Sequence, residues 1–243
     1  MAKRAAKPSF DWRESGRELA IVVLGVLIAL LAQQVAQNWE WKQRVATAVR
    51  SMKHELFYDD GPQIYMRAAA SPCAQAYLAR IRAAVEAGRP RAEIARLAQG
   101  YWIQMLTYDS TALNHATASD VAVHMAPNDL EAFNQAYNSI SMMDAVGTRE
   151  AQDLARLRSL KATGGPLSDY ETMEVLAAVE ALRNADHRMW VGARWSLPAI
   201  LALRGTLDPG RIERFMTNAR EHYGDCVKDL PSDWPKGVPL AKY

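Results

Sequence analysis

The sequence predicts an all-α protein in which one N-terminal transmembrane helix continues into an antiparallel α-helical bundle. Three observations predict it. Residues Leu19 to Ala32 read LAIVVLGVLIALLA, a run of 14 residues without a polar side chain. Beyond it, apolar residues recur three and four apart, the helical period. No run reads as a β-hairpin, and no Asn-Gly turn occurs. The chain has 243 residues, 49% of them hydrophobic and 23% charged, so it can bury a core and is not disordered by composition.

The apolar run comes first. With Gln33, Gln34, Val35 and Ala36 the zone reaches 18 residues, and a helix needs roughly 17–25 to cross the hydrocarbon layer. The predicted anchor is residues 19–38, with Leu19, Ile21, Val22, Leu24, Gly25, Leu27, Ile28, Leu30 and Leu31 facing lipid. Phe10 and Trp12 precede the run and Trp39 and Trp41 follow it. Trp12 and Trp39 lie 27 residues apart, roughly 40 Å of helix, which matches a bilayer with its headgroups. These tryptophans are the expected membrane-interface residues.

Two other readings fit an apolar run less well. A cleaved signal peptide needs small residues before the cut, but Leu30 or Gln34 would stand three back from the available sites. A buried core helix is weakened by the absence of charge between Glu18 and Glu40. Orientation follows from the flanks. Residues 1–18 carry Lys3, Arg4, Lys7, Arg13 and Arg17, against Lys42, Arg44, Arg50 and Lys53 beyond the run. The lysine and arginine balance is close, but long domains cross regardless of charge and the tail is short. The expectation is an inner-membrane protein with a cytoplasmic tail, residues 1–18, and a periplasmic domain.

Residues 39–230 are read as that helical domain, and 231–243, with Pro231, Pro235 and Pro239, as an extended tail. Trp41, Val45, Val49, Met52 and Leu56 continue the first helix, which should stop at the breaker Asp59-Asp60-Gly61-Pro62. Ser71-Pro72 should start the next helix, with Tyr77, Leu78, Ile81 and Val85 inward. A helix is expected over 91–106, with Gly100 as its soft point, and a short one from Ser110 to about Ala118. Asn128 with Glu131 reads as a cap pair. Leu154, Leu157 and Leu160 read as a further segment. Ser168 with Glu171 reads as a capping box, and Asp208-Pro209 as the start of the last helix. The run Trp190–Leu203 is 14 residues long and is broken by Arg194 and Pro198. It is read as a buried core helix, with a segment lying on the membrane as the alternative.

Chemistry is sparse. The net charge of +2 leaves no electrostatic footprint for nucleic acid. The phosphate loop, G-x-G-x-x-G, G-x-S-x-G, H-E-x-x-H and C-x-x-C are absent from the sequence. His54, His115, His124, His187 and His222 lack the spacing of a helical ligand pair, so no metal and no cofactor is expected. Asp59-Asp60 reads as a solvated turn and Ser110-Thr111…Asn114-His115 as a capped short helix. Cys73 and Cys226 are either a disulfide, favoured in an oxidising compartment, or two thiols buried as small hydrophobes.

The block RELAIVVLGVLIALLAQQVAQNWEWKQRV, residues 17–45, resembles a group of bacterial single-pass inner-membrane proteins without an assigned activity. They share a short basic tail, an anchor of the [RE]-[IL]-A-I-V-V-L-G-V-L-I-A-L type, a Gln/Trp-rich exit and a helical domain. Looser likeness extends to Cys73 and Tyr137. The resemblance implies the anchor and the bacterial inner membrane, and carries no catalytic residue. The function expected is an interaction or structural protein, an accessory subunit rather than an enzyme. Its partners would be the lipid bilayer and a membrane protein. Ala20, Gly25, Ala29 and Ala32 permit close helix approach, and Gln33, Gln34 and Gln37 offer hydrogen bonds. A periplasmic ligand-sensing bundle acting through a partner is the alternative, and an enzyme with an unrecognised site the third reading.

Overall fold

A computed structural model describes residues 12–104, 108–231 and 234, leaving out the side chains of residues 12–16 and 18. The basic tail with Phe10, and the last residues of the proline-rich tail, lie outside the described residues. Among the described residues there is no strand. The helices are α1 (Trp12–His54), α2 (Gly61–Glu86), α3 (Arg91–Gly100), α4 (Thr111–Ala118), α5 (Pro127–Arg158), α6 (Asp169–Ala202) and α7 (Pro209–Tyr223). The chain divides into two units, Met1–Thr47 and Ala48–Tyr243. The first contains the apolar helix, which is long and apolar enough to cross a membrane.

In the second unit α2, α5 and α6 form the bundle and α7 packs on α2. Glu150 and Asp186 share Arg67, Gly147 faces Met189, and Met143 lies against Gly192. These levels rise on α5 as they fall on α6, so the two helices are antiparallel. One core layer joins Leu78, Ile81, Ile94, Tyr101, Leu157 and Leu182. A second, around Met66, Cys73, Met216 and Val227, seats α7 on α2.

Several breaks expected from sequence do not occur. The helix does not stop at Asp59-Asp60-Gly61-Pro62: a π-helical turn, Glu55–Asp60, carries it from α1 into α2. Gly61 N–H donates to Leu56 O, five residues back. This wider register makes room for Pro62, which lacks a donor and suits the first turn of α2. A side chain at 61 would collide with Leu207 and with Leu56 O. Nor does Ser71-Pro72 start a helix. Pro72 lies inside α2 on an exposed position, flanked by buried Ala70 and Cys73. Burial of that face holds the helix through the lost hydrogen bond.

α3 ends at Gly100, short of residue 106. α5 starts at Pro127 with Ala126 as its cap residue, so Asn128 and Glu131 form no cap pair, and it runs unbroken to Arg158. The Ser168–Glu171 capping box opens α6. Asp208 opens α7, its carboxylate accepting from Arg211 N.

Candidate functional site: an open apolar helix and a charged bundle core

The apolar helix is built from residues of high helical compatibility with no internal charge. Leu19, Ile21, Val22, Leu24, Leu27, Ile28, Leu30 and Leu31 are all exposed, between 51% and 65%. A side chain at Gly25 would meet nothing within 4 Å. These residues cover every side of α1, and none of the apolar window is buried within the structure. Trp39 is 63% exposed. Trp41 is partly covered, with the Arg44 guanidinium 5.1 Å from its ring centre and Arg44 paired to Glu40 at 2.5 Å. Trp12 is the first residue of α1, and its side chain lies outside the described residues.

The bundle core holds charge. Arg67 on α2 pairs with Glu150 on α5 and, at 3.1 Å, with Asp186 on α6. All three are buried. Ser71 and Gln75, one and two turns beyond Arg67, donate to Asp186 Oδ2 at 2.7 and 2.9 Å. Gln75 also donates to Arg183 O at 2.8 Å. Three helices are thereby tied at one level. Burial pushes the Arg67 guanidinium down, but Glu150 and Asp186 outweigh it and hold the group well above its ordinary range. Burial raises the Glu150 carboxyl against the opposing pull of Arg67. Tyr101 is raised by burial and then by Asp186. A cavity of about 10 Å³ lies against Arg67, Ser71, Gln104, Asp186 and Tyr223. That is room for one water and not for a substrate.

A second carboxylate group belongs to the π-helical turn. Glu55 and Asp60 stand five apart, a spacing that the wide turn brings to one side. Glu55 Oε2 accepts from Ala112 N at 3.0 Å, and Asp60 Oδ1 accepts from Asp109 N at 3.2 Å. The pair thus grips the segment leading into α4. Asp60 is fully buried, and burial, with Glu55, Asp109 and Asp59 adding to it, pushes its carboxyl up to about 8. Burial raises Glu55 too, against the donor from Ala112. Asp59-Asp60 is therefore not a solvated turn. Only Asp59 reaches the surface, where Arg211 of α7 lies 3.3 Å away and stacks over Tyr58 at 4.4 Å.

Cys73 on α2 and Cys226 are joined as a disulfide, with Cα atoms 5.8 Å apart. Cys73 is buried and Cys226 exposed. The bond lies beside Val227, and Leu230 N donates to Tyr65 Oη at 3.0 Å, so the last described residues lie along α2. Ser110 accepts from Asn114 at 3.1 Å, and His115 and His124 are exposed. Among the described residues no three His, Cys, Asp or Glu side chains are grouped to hold a metal ion.

Sequence reasoning missed the Arg67–Glu150–Asp186 core. Its signal was present: Glu150 falls in the inward stripe Met143, Gly147, Glu150, Leu154, Leu157, and Asp186 falls between Leu182 and Met189 on α6. A charge inside an apolar stripe asks for a partner on a facing helix. Comparison of the chain with family models, curated proteins and solved structures found no match.

Proposed function

We propose that this chain is a single-pass protein of the bacterial inner membrane whose periplasmic helical domain docks, as an accessory subunit, on a larger membrane assembly. The observation that carries the reading is α1 from Leu19 to Leu31. Its apolar side chains are open on all sides, and hydrocarbon is the solvent that such a helix requires. The disulfide fits a domain on the oxidising side. Arg67, Glu150 and Asp186 are engaged in ties between three helices, and the cavity beside them holds a water at most. Both features suit a rigid binding module better than a catalyst or a ligand sensor.

The test is purification of the tagged full-length protein from its own membrane in a mild detergent, with mass spectrometry of what accompanies it. A membrane protein in fixed stoichiometry is expected. A lone, monodisperse chain would overturn the reading.

A further inference from the structure

We propose that the groove between α3 and the turn from α5 to α6 is the docking surface for the membrane partner, and that its occupant is an acidic peptide segment of that partner. The inference rests on the docking function just proposed and names its site.

The groove has a volume of about 530 Å³ and lies at the end of the bundle where α5 gives way to α6. Arg96 and Gln99 line it from α3, and Arg158 and Lys161 from the last residue of α5 and the turn after it. Ala92, Ala95 and Leu160 supply apolar surface among them. Among the described residues no Asp or Glu lines the groove, and none pairs with Arg96, Arg158 or Lys161. The neighbouring arginines differ: Arg91 pairs with Glu171, and Arg156 with Asp153. Hydrogen bonds hold the two walls together. Gln99 Nε2 donates to Arg158 O at 2.7 Å, and Arg91 Nη1 to Thr163 O at 3.1 Å. Arg158 Nη2 donates to Tyr101 O at 2.7 Å, which pins the guanidinium without an acid to offset its charge. A pinned guanidinium loses less entropy on engaging a carboxylate than a free one does.

Charge complementarity chooses the occupant. Three like charges around one groove repel a basic segment and favour carboxylates. The cations stand on both walls with apolar surface among them. That layout suits separate carboxylates along a chain better than one compact anion. The small alanine side chains let a peptide backbone approach closely. The volume is that of a small-ligand pocket, so the recognised unit is a short stretch with two or more Asp or Glu among small apolar residues. Such a patch is small beside a free-standing interface, which needs about 1,000 Å² or more. Two proteins held in one membrane meet at a raised effective concentration, so a small patch suffices.

The test titrates a fluorescein-labelled, alternating Glu-Ala octapeptide with the full-length protein in a non-ionic detergent, read by fluorescence anisotropy. Saturable binding is expected, weakening as salt is raised, with no binding of a Lys-Ala octapeptide. Arg96→Glu with Lys161→Glu should weaken it about tenfold or more. Both positions are exposed, so an unchanged melting temperature checks the fold. Arg149→Glu with Arg188→Glu makes the same charge change at exposed positions outside the groove, and should shift binding less than about twofold. A photoreactive benzophenone amino acid at the exposed Ala92, illuminated in the protein's own membrane, should form an adduct with an acidic segment of another membrane protein. No saturable binding, or equal loss in the two double variants, would overturn the proposal. So would displacement by inorganic phosphate as readily as by unlabelled peptide, or adducts only to lipid or to a second copy. If a partner co-purifies but the peptide does not bind, this surface fails while the docking function stands. If the peptide binds but nothing co-purifies, the docking function fails, and with it the occupant named here.

Discussion

At the scale of residues, stability depends on a few buried charges. Among the described residues Arg67 is the single cation between Glu150 and Asp186, all three buried. Removing one partner of a buried pair costs far more than the pair contributes, because a charge is left without compensation. Arg67→Met should destabilise the domain by about 3–5 kcal/mol in urea unfolding. Arg67→Met with Glu150→Leu should cost less than the single change. Asp60 sets a pH dependence. Its carboxyl has an ordinary value of 3.8 and is pushed up to about 8 in the fold. The folded protein keeps a proton that the unfolded chain gives up near pH 4, so this contribution is complete below about pH 4 and is lost as pH rises through about 8. Glu55 and Glu150, also raised, act in the same direction. Asp60→Asn should flatten the fall, read as urea midpoints between pH 5 and pH 8. A wild-type midpoint that rises over that range would contradict this account.

At the scale of elements, the stripes and caps placed most helices because each depends on a local rule. The Ser168–Glu171 box and the Asp208 start are side-chain bonds to nearby N–H groups, and the box forms even though Arg91 of α3 also pairs with Glu171. The failures share a cause. Gly61-Pro62 and Ser71-Pro72 are breakers by local rule, yet burial of α2 outweighs both, the first through a π-helical turn that periodicity does not reveal. The same turn hid the role of Asp60, which looked like turn chemistry until the segment before α4 was seen folded over it. Arg67, Glu150 and Asp186 come from three helices, so their meeting is a property of packing and not of any stretch of chain. The Cys73–Cys226 link closes the two ends of the domain. Cys226→Ser, chosen because Cys226 is exposed, should cost about 2–5 kcal/mol in chemical unfolding. The wild type under reducing conditions should match it.

At the scale of the whole molecule, the plainest part of the sequence was the apolar run, since length and the absence of charge are properties of composition alone. The outward position of Trp195 was not legible. Trp190–Leu203 reads as a buried core helix, and only the packing shows that Ala193, Ser196, Leu197 and Ile200 face inward while Trp195 and Leu201 do not. The position of the disulfide has a separate consequence for fragments. The apolar helix lies before Cys73, and α3 to α7 all lie between the two cysteines. A protease that cuts once anywhere between them therefore releases nothing: the downstream piece stays bonded through Cys226 to the piece that carries the apolar helix. Nicked protein should run near full mass on a non-reducing gel and split into two bands only when a thiol is added.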